Sequence, residues 1–345
     1  RSVNQGSIRT GSATGTDSSG LSTSALPGGH ALWVANNAAG VLLEGNGVTK
    51  ALEGNGIPAG APADSTLSTT GGAEALYIGP GGSSGNHSIT VGAFAGDPSG
   101  ASVINRGNVT AASATSTYAV TAASILGGTL GGIDYRTVLT GGLLNSGGDI
   151  SATSVDATAA ALHIGALASM PVLVNTGDIF AKAADSSESA ATGAPGAGGG
   201  DAYGVQIDAR AQLPSLTNSG HITAESHGAS QSAYAIIDNS GTLSSIVNSG
   251  SISATVKGSG TATAIDVSHG TQAVRITNTG AIIGNVLMGP GGNTFTSSGG
   301  ALQGTLTTGA GNDRVGFTNT LVTGTIDLGD GANALTFSGG SLTGG

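Results

Sequence analysis

The sequence contains six histidines, His30, His87, His163, His221, His227 and His269, the side chains best suited to hold a metal or to act as a general base near neutral pH. His221 and His227 stand six residues apart across a β-type segment with Glu225 between them, but no third ligand recurs at metal-site spacing. They read as surface histidines. Cleavage of a polysaccharide takes clustered carboxylates with a Lys or Arg in a groove. Asp208, Arg210, Asp238 and Asp266 fall near equivalent points of successive repeats, yet the three aspartates take three different offsets and form no single column. Ser and Thr are abundant, but no Gly-x-Ser-x-Gly elbow with a partner set occurs. Gly309-Ala-Gly-Asn-Asp313-Arg-Val315 partly matches a calcium-binding β-roll nonapeptide. Thr308 replaces its first glycine, and Asn293 and Asn333 stand where the sister turns would need Asp313. A glycine-rich turn is the expectation there. There is no cysteine, which removes disulfides and thiolate metal sites. The chain is expected not to be an enzyme and to need no cofactor.

The chemistry of contact is the better lead. A motif of small residue, aliphatic, any residue and usually another aliphatic starts at Ala31, Ala75, Ala119, Ala161, Gly204, Ala235 and Ala264. Strand alternation turns its third position outward. That column reads Trp33, Tyr77, Thr121, His163, Gln206, Ile237 and Asp266. Trp33, the one tryptophan, and Tyr77 are the candidates for binding a sugar ring or a partner surface, although a 44-residue spacing leaves room for a loop between them.

The elements that must position these side chains are short and repeated. Asn-x-Gly followed by a β-branched residue occurs at Asn4, Asn105, Asn145, Asn175, Asn218, Asn248 and Asn278. Between Ala31 and Ala75 only the degenerate Leu43-Glu-Gly-Asn46-Gly-Val48 is present. The starting positions of the other motif step by 44, 44, 42, 43, 31 and 29 residues, a repeat array. Each repeat holds three β-type segments, for example Tyr203 to Ile207, Leu213 to Thr217 and Ile222 to Ala224, and none has helical periodicity. The expected fold is all-β, a right-handed parallel β-helix (β-solenoid) with inserted Gly/Ser-rich loops. Asn-x-Gly is expected at corners, where Asn and Gly tolerate the left-handed backbone region, with the stacked Asn amides hydrogen-bonding in a structural ladder. Residues 1–285 form longer, loop-decorated coils. Residues 286–345 form compact coils of about 20 residues in the same continuous solenoid, read from Gly-rich turns at Gly289, Gly309 and Gly329. The inserts are expected at Thr10 to Gly29, Ile57 to Gly72, Ala95 to Gly100 and Ser186 to Asp201, all as flexible loops. Roughly 12 to 16 coils would make a rod of roughly 60 to 75 Å.

Charged residues are only 9% of the 345, aromatics 3%, and the net charge is −10. A core of stacked small aliphatics follows, and ten scattered Lys and Arg argue against nucleic acid. No apolar run of membrane-spanning length occurs, and the chain reads as a fragment or processed product without its own targeting signal. The run Ile276-Thr-Asn-Thr-Gly-Ala-Ile282, the Gly-(Ala/Asp)-Gly turns and the Val322-Thr-Gly-Thr-Ile326 strand resemble the passenger domain of an adhesin-type bacterial autotransporter (type V secretion). The resemblance covers nearly the whole chain and is strongest over 213–345. It implies display on the surface of a Gram-negative cell, or secretion, with a translocator barrel C-terminal to this segment, and it gives 286–345 the place of the folding stem. It also implies action through weak multivalent contacts, in cell aggregation, biofilm or surface attachment. The expected partner is a second copy of the chain or a host or matrix glycan or protein. The alternatives are a surface-layer or filament-forming β-solenoid and a carbohydrate-active β-helix.

Overall fold

The computed structural model describes residues 30–43, 66–80, 87–95, 97–114, 118–189, 192–196 and 198–344, with the backbone of Ser2–Asn4, Ser7–Thr10, Gly15–Thr16 and Ser22–Thr23 before them. The described residues contain no helix, and their strands build large parallel sheets. One repeat contributes a back strand such as Ala202–Ile207, an entry strand such as Ser215–Asn218 that leads into the Asn-x-Gly corner, and an exit strand such as His221–Ser226 that leaves it. Each pairs in parallel with its counterpart one repeat earlier, so three stacks run side by side in a solenoid-like arrangement. The entry register passes through Asn4, Leu43, Asn105, Asn145, Asn175, Asn218, Asn248, Asn278, Ser297, Phe317 and Phe337. Among the described residues this register has eleven levels, against the 12 to 16 coils read from the sequence, and each 42- to 44-residue step of the back motif makes one level.

Period-two alternation sends one aliphatic per strand into the interior. Leu216, Ile246 and Ile276 of the entry stack meet Ile222, Ile252 and Ile282 of the exit stack and Val205, Ile236 and Ile265 of the back stack, all fully buried. Flat parallel stacking repeats each contact at every level, so the core is long and thin and needs few aromatics. The small residue of the back motif has its own cause. Ala161, Gly204 and Ala235 lie where the pairing skips one residue and the strand bends inward; a Cβ on Gly204 would come 2.5 Å from the Ala235 carbonyl. One level before Ala161 the bend falls on Ala122, not Ala119, so Ser124 and not Thr121 pairs with Tyr77 and His163.

The stacked asparagine amides hydrogen-bond as the sequence suggests, but the corner backbone is not left-handed. Asn105, Asn145, Asn175, Asn218, Asn248 and Asn278 are all buried, and each Nδ2 donates to the next Oδ1 at 2.8 Å, the last donating to Ser297 Oγ at 3.0 Å. The same Nδ2 also faces the carbonyl of the corner glycine and one carbonyl of the next level, as Asn218 does with Gly220 (3.1 Å) and Ser251 (3.1 Å). None of these asparagines has positive φ, nor do Gly177, Gly220, Gly250 or Gly280. Glycine is required there by close approach: a Cβ on Gly220, Gly250 or Gly280 would stand 2.0 Å from the carbonyl oxygen of the preceding corner glycine. The Asn145 copy carries one extra residue. Its Gly147 has φ +69° with open space around it, while Gly148 holds the stacked position. Leu43 occupies the ladder register, and Glu44 to Val48 and the Asn4 side chain lie outside the described residues.

Two inserts are not flexible loops. Thr66–Thr70, inside the proposed Ile57 to Gly72 insert, is an exit strand paired with Asn108–Ala112. The segment around Ala95 to Gly100 folds Phe94 against Leu42, Ile104 and Ala101 on the outside of the entry stack, fastened by the Arg106–Asp97 ion pair. The Thr10 to Gly29 insert falls largely outside the described residues. Toward the C terminus the register steps shorten to about twenty residues, and Phe317 and Phe337 replace the polar ladder.

Asn218→Ala should lower stability by roughly 2–3 kcal/mol in chemical denaturation, since it strips the donor from the buried Asn248 Oδ1 as well as two carbonyls. Gly250→Ala, with normal φ but no room, should destabilise by about 1–3 kcal/mol or more. Gly147→Ala, with positive φ and open space, should cost about 1 kcal/mol. The reverse order for the two glycines would contradict the close-approach explanation.

Candidate functional site

The carboxylates and histidines are mostly engaged in structural pairs. His163 Nε2 lies 2.8 Å from Asp208 Oδ2, and Arg210 pairs with Asp134 of the hairpin Gly128–Leu130/Ile133–Tyr135. Asp238 is buried and accepts the backbone N–H groups of Ser240, Gly241 and Leu243, holding a turn. Asp266 accepts the Ser268 N–H in the same way. Ile207 pairs with Asp238 and Ile237 with Asp266, so the aspartates stand at different register positions. Among the described residues no three His, Cys, Asp or Glu side chains converge as a metal site. Asp313 is buried in the C-terminal turns, where its Oδ1 accepts the Asn293 N–H at 2.6 Å and its own N–H donates to Asn333 Oδ1 at 2.9 Å.

Trp33 and Tyr77 occupy adjacent levels of the back stack, with no loop between them. Their ring centroids are 6.0 Å apart, edge to face. His30, read from the sequence as a surface histidine and not as a contact residue, completes the cluster: it stacks on Tyr77 at 4.5 Å and meets Trp33 at 5.8 Å. Trp33 is 48% exposed and fixed by its Nε1–H, which donates to the Gly79 carbonyl at 3.2 Å. Glu74 lies beneath, with His30 Nδ1 at 3.0 Å and Ser124 Oγ donating at 3.2 Å. Burial pushes the Glu74 carboxyl up, but the contacts with His30, its own backbone amide and Ser124 outweigh it and leave it below its ordinary value. The Tyr77 phenol is raised by burial and then by the Glu74 charge. The cluster is thus an exposed aromatic edge on a rigid, hydrogen-bonded base. Farther along the same stack, Tyr203 and Tyr234 stack at 5.5 Å with planes 7° apart, and burial, then Asp201, pushes the Tyr203 phenol up to about 12. Their signal was present as Ala-Tyr at the start of two successive back strands.

The exit stack presents the broadest polar face. Its central outward row passes in register through Ser68, Thr110, Ser151, Phe180, Thr223, Ser253, Ile283, Gln303, Thr323 and Thr343. The Ser186 to Asp201 insert is held against this side of the molecule. Asp156 accepts the Ser186 and Gly199 N–H groups, Asp185 accepts those of Ser187 and Gly196, and Glu188 takes His227 Nδ1 at 2.8 Å and the Lys257 ammonium. The Ser186 hydroxyl and amides hold the Asp156 carboxyl below its usual value, the Ser187 hydroxyl does the same for Asp185, and Lys257 followed by His227 does so for Glu188.

No family model, no curated protein and no solved structure matches this chain.

A depressed folded-state carboxylate stabilises the anchored insert above its ordinary value, 4.5 for glutamate, and this contribution is lost as pH falls through the lowered value. Amide protection, the slowing of exchange relative to the unstructured chain at the same pH, should therefore be high across 186–189 and 192–196 at neutral pH and fall as pH drops below the ordinary carboxylate range. Glu188→Gln should raise exchange at neutral pH without altering the ladder amides. Unchanged exchange in that variant would mean that the aspartates alone hold the insert.

Proposed function

We propose that this chain is a surface-displayed bacterial adhesive segment, a right-handed parallel β-helix that acts by contact and not by catalysis. The reading rests on the hydroxyls that recur in register along the exit stack, Ser68, Thr110 and Ser151, then Thr223 and Ser253, then Thr323 and Thr343. A hydroxyl both donates and accepts a hydrogen bond, so such a row is complementary to a second copy of itself. Each contact is weak, and the repetition along successive levels, multiplied by many molecules on apposed surfaces, supplies the avidity. The low charge, 9% of residues, keeps the desolvation cost of bringing two such faces together small. The sequence resemblance to adhesin-type autotransporter passengers supports the same reading. It supports display on a Gram-negative cell, residues 286–345 as the stem, and homotypic association as the primary mode. The Trp33–Tyr77–His30 edge supports a second mode, contact with a glycan or protein on another surface, because an exposed ring on a fixed base loses little freedom on binding.

Analytical ultracentrifugation over a concentration series tests the homotypic reading. Self-association at micromolar concentration is expected, and a Thr110→Glu, Ser253→Glu, Thr323→Glu variant should be monomeric, since each added carboxylate must lose water against a like-charged face. A wild-type chain that stays monomeric throughout would overturn homotypic contact. Trp33→Ala and Tyr77→Ala would then be the variants to test against foreign surfaces.

A further inference from the structure

The hydroxyl row is interrupted by Phe180 and, farther along, by Ile283 and Gln303, and a groove of about 560 Å³ opens over Phe180. The exit strands Asp149–Val155, Asp178–Ala184 and His221–Ser226 form its floor. Alternation places three outward residues on each strand. The middle row is Ser151, Phe180 and Thr223; one wall is Asp149, Asp178 and His221; the other is formed by Thr153 and Glu225, with Lys182 between them in register. Three levels, and the four residue steps from one wall to the other, span roughly 10 by 13 Å, about the footprint of one or two pyranose rings.

Phe180 is half-buried, so it offers one supported aromatic face without a protein ring to cover it. The walls differ from Asp156, Asp185, Glu188 and Asp238, whose oxygens are occupied by ion pairs or backbone amides. Among the described residues no hydrogen bond or ion pair engages the Asp178 carboxylate, although the Asp178 backbone is bonded to Asn145 and Gly148. Asp149 has one, the Ser151 hydroxyl at 3.0 Å. Glu225 reaches only His227, at 3.8 Å. Burial raises the Asp149 carboxyl, the Ser151 hydrogen bond opposes this, and the neighbouring Asp178 charge adds to the rise. Two adjacent carboxylates are therefore held together on a rigid sheet with little internal compensation, next to an apolar platform.

A pyranose ring matches these features. It has an apolar C–H face for an aromatic ring and a rim of hydroxyl donors for carboxylates, which accept only when ionised. We infer that this groove binds a saccharide carrying no negative charge, with a ring face on Phe180 and hydroxyls directed to Asp178 and Glu225. The hydroxyls of Ser151 and Thr223 flank the ring along the row and serve as donors or acceptors. A uronic acid is rejected because its carboxylate would enter a site that already holds three. The site is separate from the Trp33–Tyr77–His30 edge, which lies on the back stack, and it does not depend on self-association.

Titration calorimetry of the intact chain at neutral pH, with cellotetraose, maltotetraose, triacetylchitotriose, chitotriose, trigalacturonate and spermidine as probes, tests it. At least one uncharged or aminated oligosaccharide should bind with a millimolar or tighter constant, and trigalacturonate should not. Phe180→Ala and Asp178→Asn should each weaken binding at least about tenfold. Phe180→Tyr, which keeps the ring, and Trp33→Ala, which lies elsewhere, should stay within about twofold. Circular dichroism of each variant verifies that the sheet is intact. The inference fails if none of the neutral or aminated sugars binds, or if Phe180→Ala binds as the parent does. It also fails if spermidine binds as tightly as the sugars, which would make the groove a site for basic chains.

Discussion

The stacking of backbone on backbone at the Asn-x-Gly corner is the constraint that the rest of this structure depends on. At that point successive levels approach until there is no space for a Cβ: the hypothetical atom on Gly220, Gly250 or Gly280 stands 2.0 Å from the glycine carbonyl of the level before. The asparagine beside it is buried and has its amide satisfied three ways, by the next asparagine, by its own corner and by the next level. A buried amide left unpaired costs about 1–3 kcal/mol, so each copy stabilises the copy before it and the register cannot slip by one residue without exposing the aliphatics. The corner therefore fixes level spacing, register and the inward direction of Leu216, Ile246 and Ile276 together.

With the register set, the outward residues of different repeats become neighbours regardless of how far apart they are in the chain. Trp33 and Tyr77 meet across one level, as do Tyr203 and Tyr234, and Asp149, Asp178 and His221 form one wall. Chain added between strands is placed outside the stacks, where it costs little loop-closure entropy, and then fastened by side chains. Phe94 covers Leu42 and Ile104, and Glu188 is gripped by His227 and Lys257. The outer surface of a repeat protein can thus vary from level to level while the interior remains uniform.

The C-terminal levels keep the same stacks with a different material. Ser297 ends the amide ladder, and Phe317 and Phe337 continue the column with their rings 5.8 Å apart. Asn293, Asp313 and Asn333 form a second polar column in the Gly-rich turns. The change accompanies the shortening of the period to about twenty residues, with no inserts to be held.

How much of this was legible follows from what each signal depends on. The strands, their three-per-repeat order, the Asn column and the small-aliphatic motif are local and periodic, and a repeat shows its own period in one chain. The inserts at Ile57 to Gly72, Ala95 to Gly100 and Ser186 to Asp201 were misjudged because composition reports chain flexibility and not anchoring. The Ser186 to Asp201 stretch is glycine-rich, yet five carboxylate contacts to single N–H groups and side chains hold it. Thr121 was placed in the outward column because Ala119 and Ala122 both begin a plausible copy, and only the pairing with Tyr77 and His163 selects Ser124. Phe180 and its walls passed unnoticed since their residues differ at every level and carry no motif. The sequence by itself determined the repeat, the β-type segments, the stacked interior and the polar corner, because hydrophobic alternation and the Asn-x-Gly spacing act within one repeat. The tertiary structure alone decided why the corner glycine is glycine and which outward side chains share a groove, because both depend on the few ångströms between one level and the next.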